Sequence, residues 1–156
     1  MGFTTMTAIN FYQLASRRPE QVLPQLIGKA LAAGHRIVIR SDDAGLLERL
    51  DTALWTTPVD SFLPHGRESD VGPERATRQP ALLTSAPLPA ANAADCLAQL
   101  GGDLPDSYQG LTRVLYLFDA DGIETARARW RVLSKAEGLT PVYWREGEGG
   151  RFEKAG

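Results

Sequence analysis

The sequence contains little cysteine and no long hydrophobic run. Cys96 is the only cysteine among 156 residues, which excludes an internal disulfide and a zinc site built from several cysteines. No stretch approaches the roughly 18 consecutive apolar residues that a membrane-spanning helix needs. The formal net charge is −2, whereas a protein whose main partner is the DNA backbone carries a strongly basic surface. Direct DNA binding is therefore not expected to be its main role.

The N-terminus lacks the pattern of a targeting segment. No basic region followed by an apolar core precedes Met6, so neither a signal peptide nor a transit peptide is predicted and the protein is expected in the cytoplasm. Met6 stands directly before the first strand-like run, which makes 1–6 an expected weakly ordered extension. The length of the chain favours one compact domain over 1–156.

The first sixty residues alternate between strand and helix patterns. β-Branched and aromatic residues at 7–14 and 36–40 predict two buried strands. Apolar residues recur every three or four positions over 19–33 and 46–54, which is the period of an amphipathic helix. Pro24 fits the first helix only if it lies in the first turn. The order predicts an α/β fold, with a mostly parallel twisted sheet and helices packed on it.

The rest of the chain is less regular. Residues 66–80 are polar and have no hydrophobic period, which predicts a mobile loop. A third helix is expected from Ile123 to a stop at Gly138. Pro141 favours an edge position for the last strand, because proline cannot donate a hydrogen bond to a neighbouring strand, and the glycine-rich tail 147–156 is expected to fray. The expected strands are 81–84, 96–100 (a helical turn being the alternative), 113–118 and 140–144.

The β-α-β opening is typical of nucleotide-binding proteins, but no phosphate loop follows it. The turn at 15–19 has no glycine, and the chain has no Gly-Lys-Ser/Thr motif. Asp42 and Asp43 follow the second strand, where a dinucleotide enzyme holds a ribose hydroxyl, but capping of the next helix accounts for them. No catalytic residue, metal or cofactor is predicted. A nucleotide-binding α/β enzyme with an unrecognised phosphate site is the alternative function.

An aromatic segment at 50–65 is not explained by folding alone. Its aromatic residues stand among prolines at the end of a helix, a composition that suits a pre-ordered apolar contact surface. Burial of both aromatics in the core is the alternative. The residues concerned are Trp55, Pro58, Phe62 and Pro64.

A basic segment at 126–131 is the second such feature. Arg127 and Arg131 lie one helical turn apart beside Trp130, and Lys135 follows. Helical spacing thus places cations next to an apolar spot. A solvated basic helix face is the alternative.

At these two segments the chain resembles the chi subunit family of DNA polymerase III. The resemblance spans 7–144 and also includes Phe11-Tyr12 and Tyr143-Trp144. Segment 50–65 is its specific part, because the leucine-aspartate, alanine-leucine-tryptophan and serine-phenylalanine-x-proline-histidine elements occur in order. The chain departs from the pattern at Ile123, where some relatives hold lysine, and at 133–135, where relatives often hold an aromatic and then a basic residue.

The resemblance implies a non-catalytic accessory subunit of the clamp-loader assembly in DNA replication, without a cofactor. It implies a complex with the psi subunit, which attaches to the clamp loader, through a surface that maps onto Trp55, Pro58, Phe62 and Pro64. It also implies a pocket for the acidic, phenylalanine-ended C-terminal tail of single-stranded-DNA-binding protein, which maps onto Arg127, Trp130, Arg131 and Lys135. DNA would then be reached only indirectly.

Overall fold

A computed structural model describes residues 6–56 and 64–155 of the chain. Its strands form one eight-stranded sheet in the order β3-β4-β2-β5-β6-β1-β7-β8. Only the β7–β8 pair is antiparallel. The strands are β1 Thr7–Gln13, β2 Ile37–Arg40, β3 His65–Arg67, β4 Ala81–Thr84, β5 Cys96–Leu100, β6 Arg113–Phe118, β7 Leu139–Glu146 and β8 Phe152–Lys154.

Four α-helices lie along the described chain: α1 Pro19–Ala32, α2 Ala44–Thr56, α3 Glu68–Ala76 and α4 Ile123–Leu133. Short 3-10 turns occupy Ala120–Gly122 and Glu148–Gly150. The predicted α/β class, with a mostly parallel sheet and helices packed on it, is confirmed, and so is a strand at 96–100. No helix within the described ranges is long and apolar enough to cross a bilayer.

The sheet separates two apolar clusters. Side chains alternate between its faces along each strand, so Phe11 lies in one cluster and Tyr12 packs against the other. Helices α1 and α2 cover one face through residues such as Ile27 and Leu50. Helix α4 covers the other face through Ala126 and Leu133. Residues 50–56 of the aromatic segment and residues 126–131 of the basic segment therefore lie on helices that cover opposite faces.

Local sequence accounts for the start of α2 but not for the interior of α1. Asp43 Oδ1 accepts a hydrogen bond from the backbone N–H of Leu46 at 3.2 Å, which confirms the expected cap. Pro24, however, is buried beyond the first turn, because α1 already begins at Pro19. Proline there removes one helical hydrogen bond, while its ring contributes to the buried side of the helix.

The prediction of a loop at 66–80 is wrong in its secondary structure. Strand β3 begins at His65, and α3 follows directly. The sequence pattern does not indicate α3, because the helix is kinked at Gly72, whose φ is +81°, and continues with Pro73. Ala76 is its only buried residue, so no hydrophobic period marks it. Polar contacts stabilise its start, including the Arg67–Asp70 ion pair at 2.7 Å.

The tail at 147–156 does not fray throughout. After β7 the chain turns at Glu148–Gly150 and returns as β8, which pairs with β7 from Trp144 to Glu146. Strand β8, and not β7, is thus the outer strand. Pro141 was expected to lie on an edge strand, and this is true only of its own part of β7. That part pairs with β1 alone, because β8 pairs only with 144–146. Of the predicted extension 1–6, residues 1–5 lie outside the described residues.

Candidate partner-binding surfaces

Helix α4 is fixed on the sheet by its small and apolar residues. Ala126 and Leu133 are buried, and Ile123 is partly buried against the same cluster. Arg127 and Arg131 consequently face outward and are exposed. Lys135 lies just beyond the helix, where its backbone N–H donates to Val132 O at 3.2 Å. The basic positions predicted from the sequence thus extend from the middle of α4 to just beyond its C-terminal end.

Trp130 joins this helix to the aromatic part of the core. Its ring packs edge to face on Phe11, with centroids 5.4 Å apart, and on Tyr143 at 5.7 Å. Phe11 and Tyr143 stack on each other at 5.9 Å. The indole is only partly buried. Trp130 therefore anchors α4 and also leaves an apolar edge at the surface.

The three arginines of α4 have different surroundings. Arg129 donates to both carboxylate oxygens of Asp103, at 2.6 and 2.9 Å, and lies 3.6 Å from Asp106. The hydrogen bond from Arg129 holds the pKa of Asp103 below its usual range. Within the described ranges, no carboxylate forms an ion pair with Arg127 or Arg131. Arg129 is structural, whereas the other two keep their donors available.

A further cation at this place, Arg145, was not predicted from the sequence. Alternation along β7 places Arg145 on the same face as Tyr143. Burial raises the pKa of Tyr143, and the positive charges of Arg127 and Arg145 oppose that rise, so both lie close to the phenol. The predicted strand ended at Trp144; extending the alternation by one residue would have found Arg145. We call Arg127, Trp130, Arg131 and Arg145 the basic aromatic surface.

The second candidate surface lies at the end of α2. Trp55 is 60% exposed, and its ring lies 4.8 Å from that of His65 at the start of β3. His65 is buried, with Nε2 at 3.2 Å from Asp51 Oδ1. Pro64, next to His65, is half-buried. The contact between Trp55 and His65 brings the two ends of the aromatic segment together, while Pro58 and Phe62 fall at 57–63, outside the described residues.

An internal carboxylate binds the backbone before α1. Open sheets of parallel strands bind ligands beyond the carboxyl ends of the strands, and the turn from β1 to α1 lies at such an end. Glu146, at the end of β7 beside β1, accepts hydrogen bonds from Ser16 N at 2.7 Å, Ser16 Oγ at 2.9 Å and Arg17 N at 3.2 Å. The amides that would hold a phosphate before α1 are thus already bound to this nearly buried side chain.

Cys96 and Asp95 are of reactive residue types, but their contacts are those of structural residues. Cys96 is fully buried, and burial raises the pKa of its thiol to about 12. Asp95 accepts from His35 Nδ1 at 2.7 Å and from Arg36 N at 3.0 Å. Across the described part of the chain, no three His, Cys, Asp or Glu side chains are grouped in a way that could hold a metal ion.

Comparison with known proteins identifies the family of the chain. Residues 6–141 match the family described as DNA polymerase III chi subunit, HolC. A 46-residue stretch is 37% identical to DNA polymerase III subunit chi of Escherichia coli (strain K12), covering 30% of this chain and 31% of that protein. This pairwise alignment thus spans about a third of the relative. The family match covers most of the present chain, which therefore belongs to the DNA polymerase III chi subunit family, whose members are accessory subunits of the replicative polymerase.

Proposed function

We propose that this chain is a non-catalytic cytoplasmic adaptor that links the psi subunit, and through it the clamp loader, to the acidic C-terminal tail of single-stranded-DNA-binding protein. The observation that carries the proposal is the pair of exposed arginines, Arg127 and Arg131, beside the half-buried ring of Trp130. Neither arginine forms an ion pair with a carboxylate of the described residues.

The chemistry of this surface suits an acidic peptide with one aromatic end. A guanidinium presents a planar fork that can hold a carboxylate through two hydrogen bonds. The partly exposed edge of Trp130, packed on the buried ring of Tyr143, is an apolar spot against which a terminal phenylalanine ring can pack. Arg145 adds a third positive charge on the same face. Such contacts are individually weak at an exposed site, and several tails on one nucleoprotein filament would strengthen them through avidity.

The position of the two surfaces supports a bridging role. Trp55 lies at the end of α2, which packs on one face of the sheet, and Arg131 lies on α4, which packs on the other. Two partners bound at these surfaces would not compete for the same area. No observation favours a nucleotide-binding enzyme instead, because Glu146 already occupies the amides before α1.

Calorimetric titration with an acidic peptide that ends in phenylalanine tests the tail surface. Arg131→Glu replaces an attraction by a repulsion and is expected to weaken binding at least about tenfold, since a charge-assisted hydrogen bond is also lost. Binding by the wild type is expected to weaken at high salt, because exposed charges are screened over about 8 Å at physiological ionic strength.

Arg75→Glu is the matched control. Arg75 and Arg131 are both exposed basic residues in the last turn of a helix, so both variants make the same reversal of charge at a similar position. Arg75 lies on α3, near the other end of the sheet. Equal affinities for the peptide in wild type and Arg131→Glu would refute the assignment of the tail surface to α4.

Trp55→Ala tests the second surface. Because the side chain is 60% exposed, the substitution is expected to leave the fold intact while weakening the complex with the psi subunit by more than about 1 kcal/mol, as the loss of an interface anchor does. Val132→Ala is the control, since Val132 is 62% exposed but lies on α4. If both variants bind psi as tightly as the wild type, the psi surface does not include Trp55.

A further inference from the structure

A groove on the α1 side of the sheet is separate from both surfaces described above. It has a volume of about 530 Å³ and lies between α1 and the β7–β8 hairpin. Three aromatic side chains from three successive strands line it: Tyr12 of β1, Trp144 of β7 and Phe152 of β8. Tyr12 and Trp144 are paired in register. The groove thus has an aromatic wall at a part of the sheet that α1 leaves partly uncovered.

The aromatic side chains are held in fixed orientations. Trp144 Nε1 donates to Asn10 Oδ1 at 3.2 Å, and the rings of Tyr12 and Phe152 pack edge to face at 5.1 Å. All three remain partly exposed. Rings that are immobilised in this way lose little conformational entropy when a flat ligand packs on them.

Cations surround the aromatic wall. Arg17, Lys29 and Arg151 line the groove, and no carboxylate side chain is among its described lining residues. Arg17 donates to Gly150 O and to Gln21 O, both at 3.1 Å, so it joins the hairpin turn to α1 while its charge stays at the rim. Lys154 pairs in register with Trp144, and paired residues share a face of the sheet. The groove is therefore locally basic on a protein of net charge −2.

Part of the groove lies beyond the residues that carry the family resemblance. The family match ends at residue 141, and Arg151 and Phe152 of the groove follow it. The groove also lies on the opposite side of the sheet from α4, since Trp144 and Tyr143 point to opposite faces. It is neither the basic aromatic surface nor the end of α2.

We propose that this groove binds single-stranded DNA directly, with bases stacked on Trp144 and its aromatic neighbours and phosphates held by Lys29 and Arg151. Aromatic side chains on adjacent strands, bordered by cations, are the arrangement by which proteins bind single strands without reading sequence. An acidic peptide with one terminal ring would use only one of the three aromatic side chains. Such binding gives the chain a contact with DNA beyond the indirect one that the family resemblance implies.

Fluorescence anisotropy of a labelled oligothymidylate, about 12 nucleotides long to fit typical site sizes, tests the proposal on the full chain at low salt. The double variant Lys29→Glu/Arg151→Glu is expected to weaken binding at least about tenfold, because two phosphate contacts become repulsive. Trp144→Ala is expected to weaken it about tenfold through the lost stacking. Circular dichroism shows whether Trp144→Ala still folds, and the double variant alters only exposed residues.

The controls separate this site from the tail surface. Arg75→Glu reverses an exposed charge in the last turn of α3 and is expected to bind the oligonucleotide like the wild type. Arg131→Glu is expected to do the same, although it loses the acidic peptide. No binding by the wild type, or equal affinity in the double variant and Arg75→Glu, overturns the proposal. Loss of acidic-peptide binding in the double variant, or tighter binding of oligouridylate than of oligothymidylate, overturns the assignment to single-stranded DNA.

Discussion

Replacing Glu146 by glutamine tests how strongly this side chain stabilises the contact between the β7–β8 hairpin and the turn before α1. The carboxylate accepts hydrogen bonds from Ser16 N, Ser16 Oγ and Arg17 N, and only 6% of the residue is exposed. Glutamine has nearly the same shape but one acceptor oxygen in place of two. Its amide group must then face at least one of these donors, which loses its partner.

The expected loss of stability follows from these contacts. A hydrogen bond to a charged group contributes about 1.5–3 kcal/mol, and a buried donor without a partner costs about 1–3 kcal/mol. Because the glutamine oxygen still accepts one set of hydrogen bonds, we expect Glu146→Gln to lower the free energy of unfolding by about 2–3 kcal/mol. For a domain of this size that corresponds to a fall in Tm of about 4–12 °C.

The effect should depend on pH in a defined direction. Burial by itself raises the pKa of Glu146, but the hydrogen bonds from Ser16 and Arg17 outweigh burial, so the pKa lies below its ordinary value. A pKa lowered by folding stabilises the protein above the unfolded pKa of about 4.3. This contribution is lost as the pH falls through the folded pKa. The difference between wild type and Glu146→Gln should therefore be constant from pH 7 to about pH 5 and shrink below about pH 4.

Urea denaturation of both proteins at several pH values measures this difference. Glu148→Gln is the control, because it removes the same charge from an exposed position in the same hairpin. Trypsin cleavage after Arg151 or Lys154 should also be faster in Glu146→Gln at neutral pH, since the hairpin is less firmly attached. Equal stabilities of the two variants at pH 7, or a difference that persists unchanged at pH 3, would refute this account of the hairpin.

Two further predictions concern the core. Asn92→Ala is expected to lower the free energy of unfolding by about 2 kcal/mol, because the buried Nδ2 group donates to Ile37 O and Gln79 O. Urea denaturation measures the loss, with the exposed Gln109→Ala as control. Equal stabilities of the two variants would contradict this prediction. Cys96 is expected to react with a thiol reagent only in denaturant, since burial raises its pKa to about 12; rapid modification of the native protein would show that the β5 region opens.

The regular part of the fold was predictable because its residues follow simple periods. The strands at 81–84, 96–100 and 113–118 are short apolar runs, and all of them lie in the interior of the sheet. A buried parallel strand is covered on both faces, so its sequence is apolar almost without interruption. The helices α1, α2 and α4 each bury one stripe against such strands, which produces the three- and four-residue period.

The sequence-based predictions were wrong where tertiary contacts, and not a regular spacing of apolar residues, determine the structure. Composition at 147–156 predicted a fraying tail, yet the glycines there form a turn: Gly149 and Gly150 have φ of +74° and +77°, which favours glycine. A side chain at Gly150 would approach Arg17 Cδ to 3.0 Å. Nothing in the local sequence shows that Glu146 binds a loop 130 residues away. The clustering of Arg127, Trp130 and Arg131 could be predicted from the sequence because helical spacing alone brings these residues together.

The arginines of α4 differ in how much their contacts contribute to the stability of the fold. Arg129 binds Asp103 through two hydrogen bonds and fixes the loop after β5, so its removal would affect folding as well as charge. Arg131 makes no comparable contact among the described residues and gains only the dipole interaction of a last-turn cation, about 0.3–1 kcal/mol. Exposed cations that folding hardly uses, placed beside a half-buried indole, are available for a ligand. We therefore expect reversal of Arg131 to weaken peptide binding with little change in stability, whereas reversal of Arg129 should also lower stability.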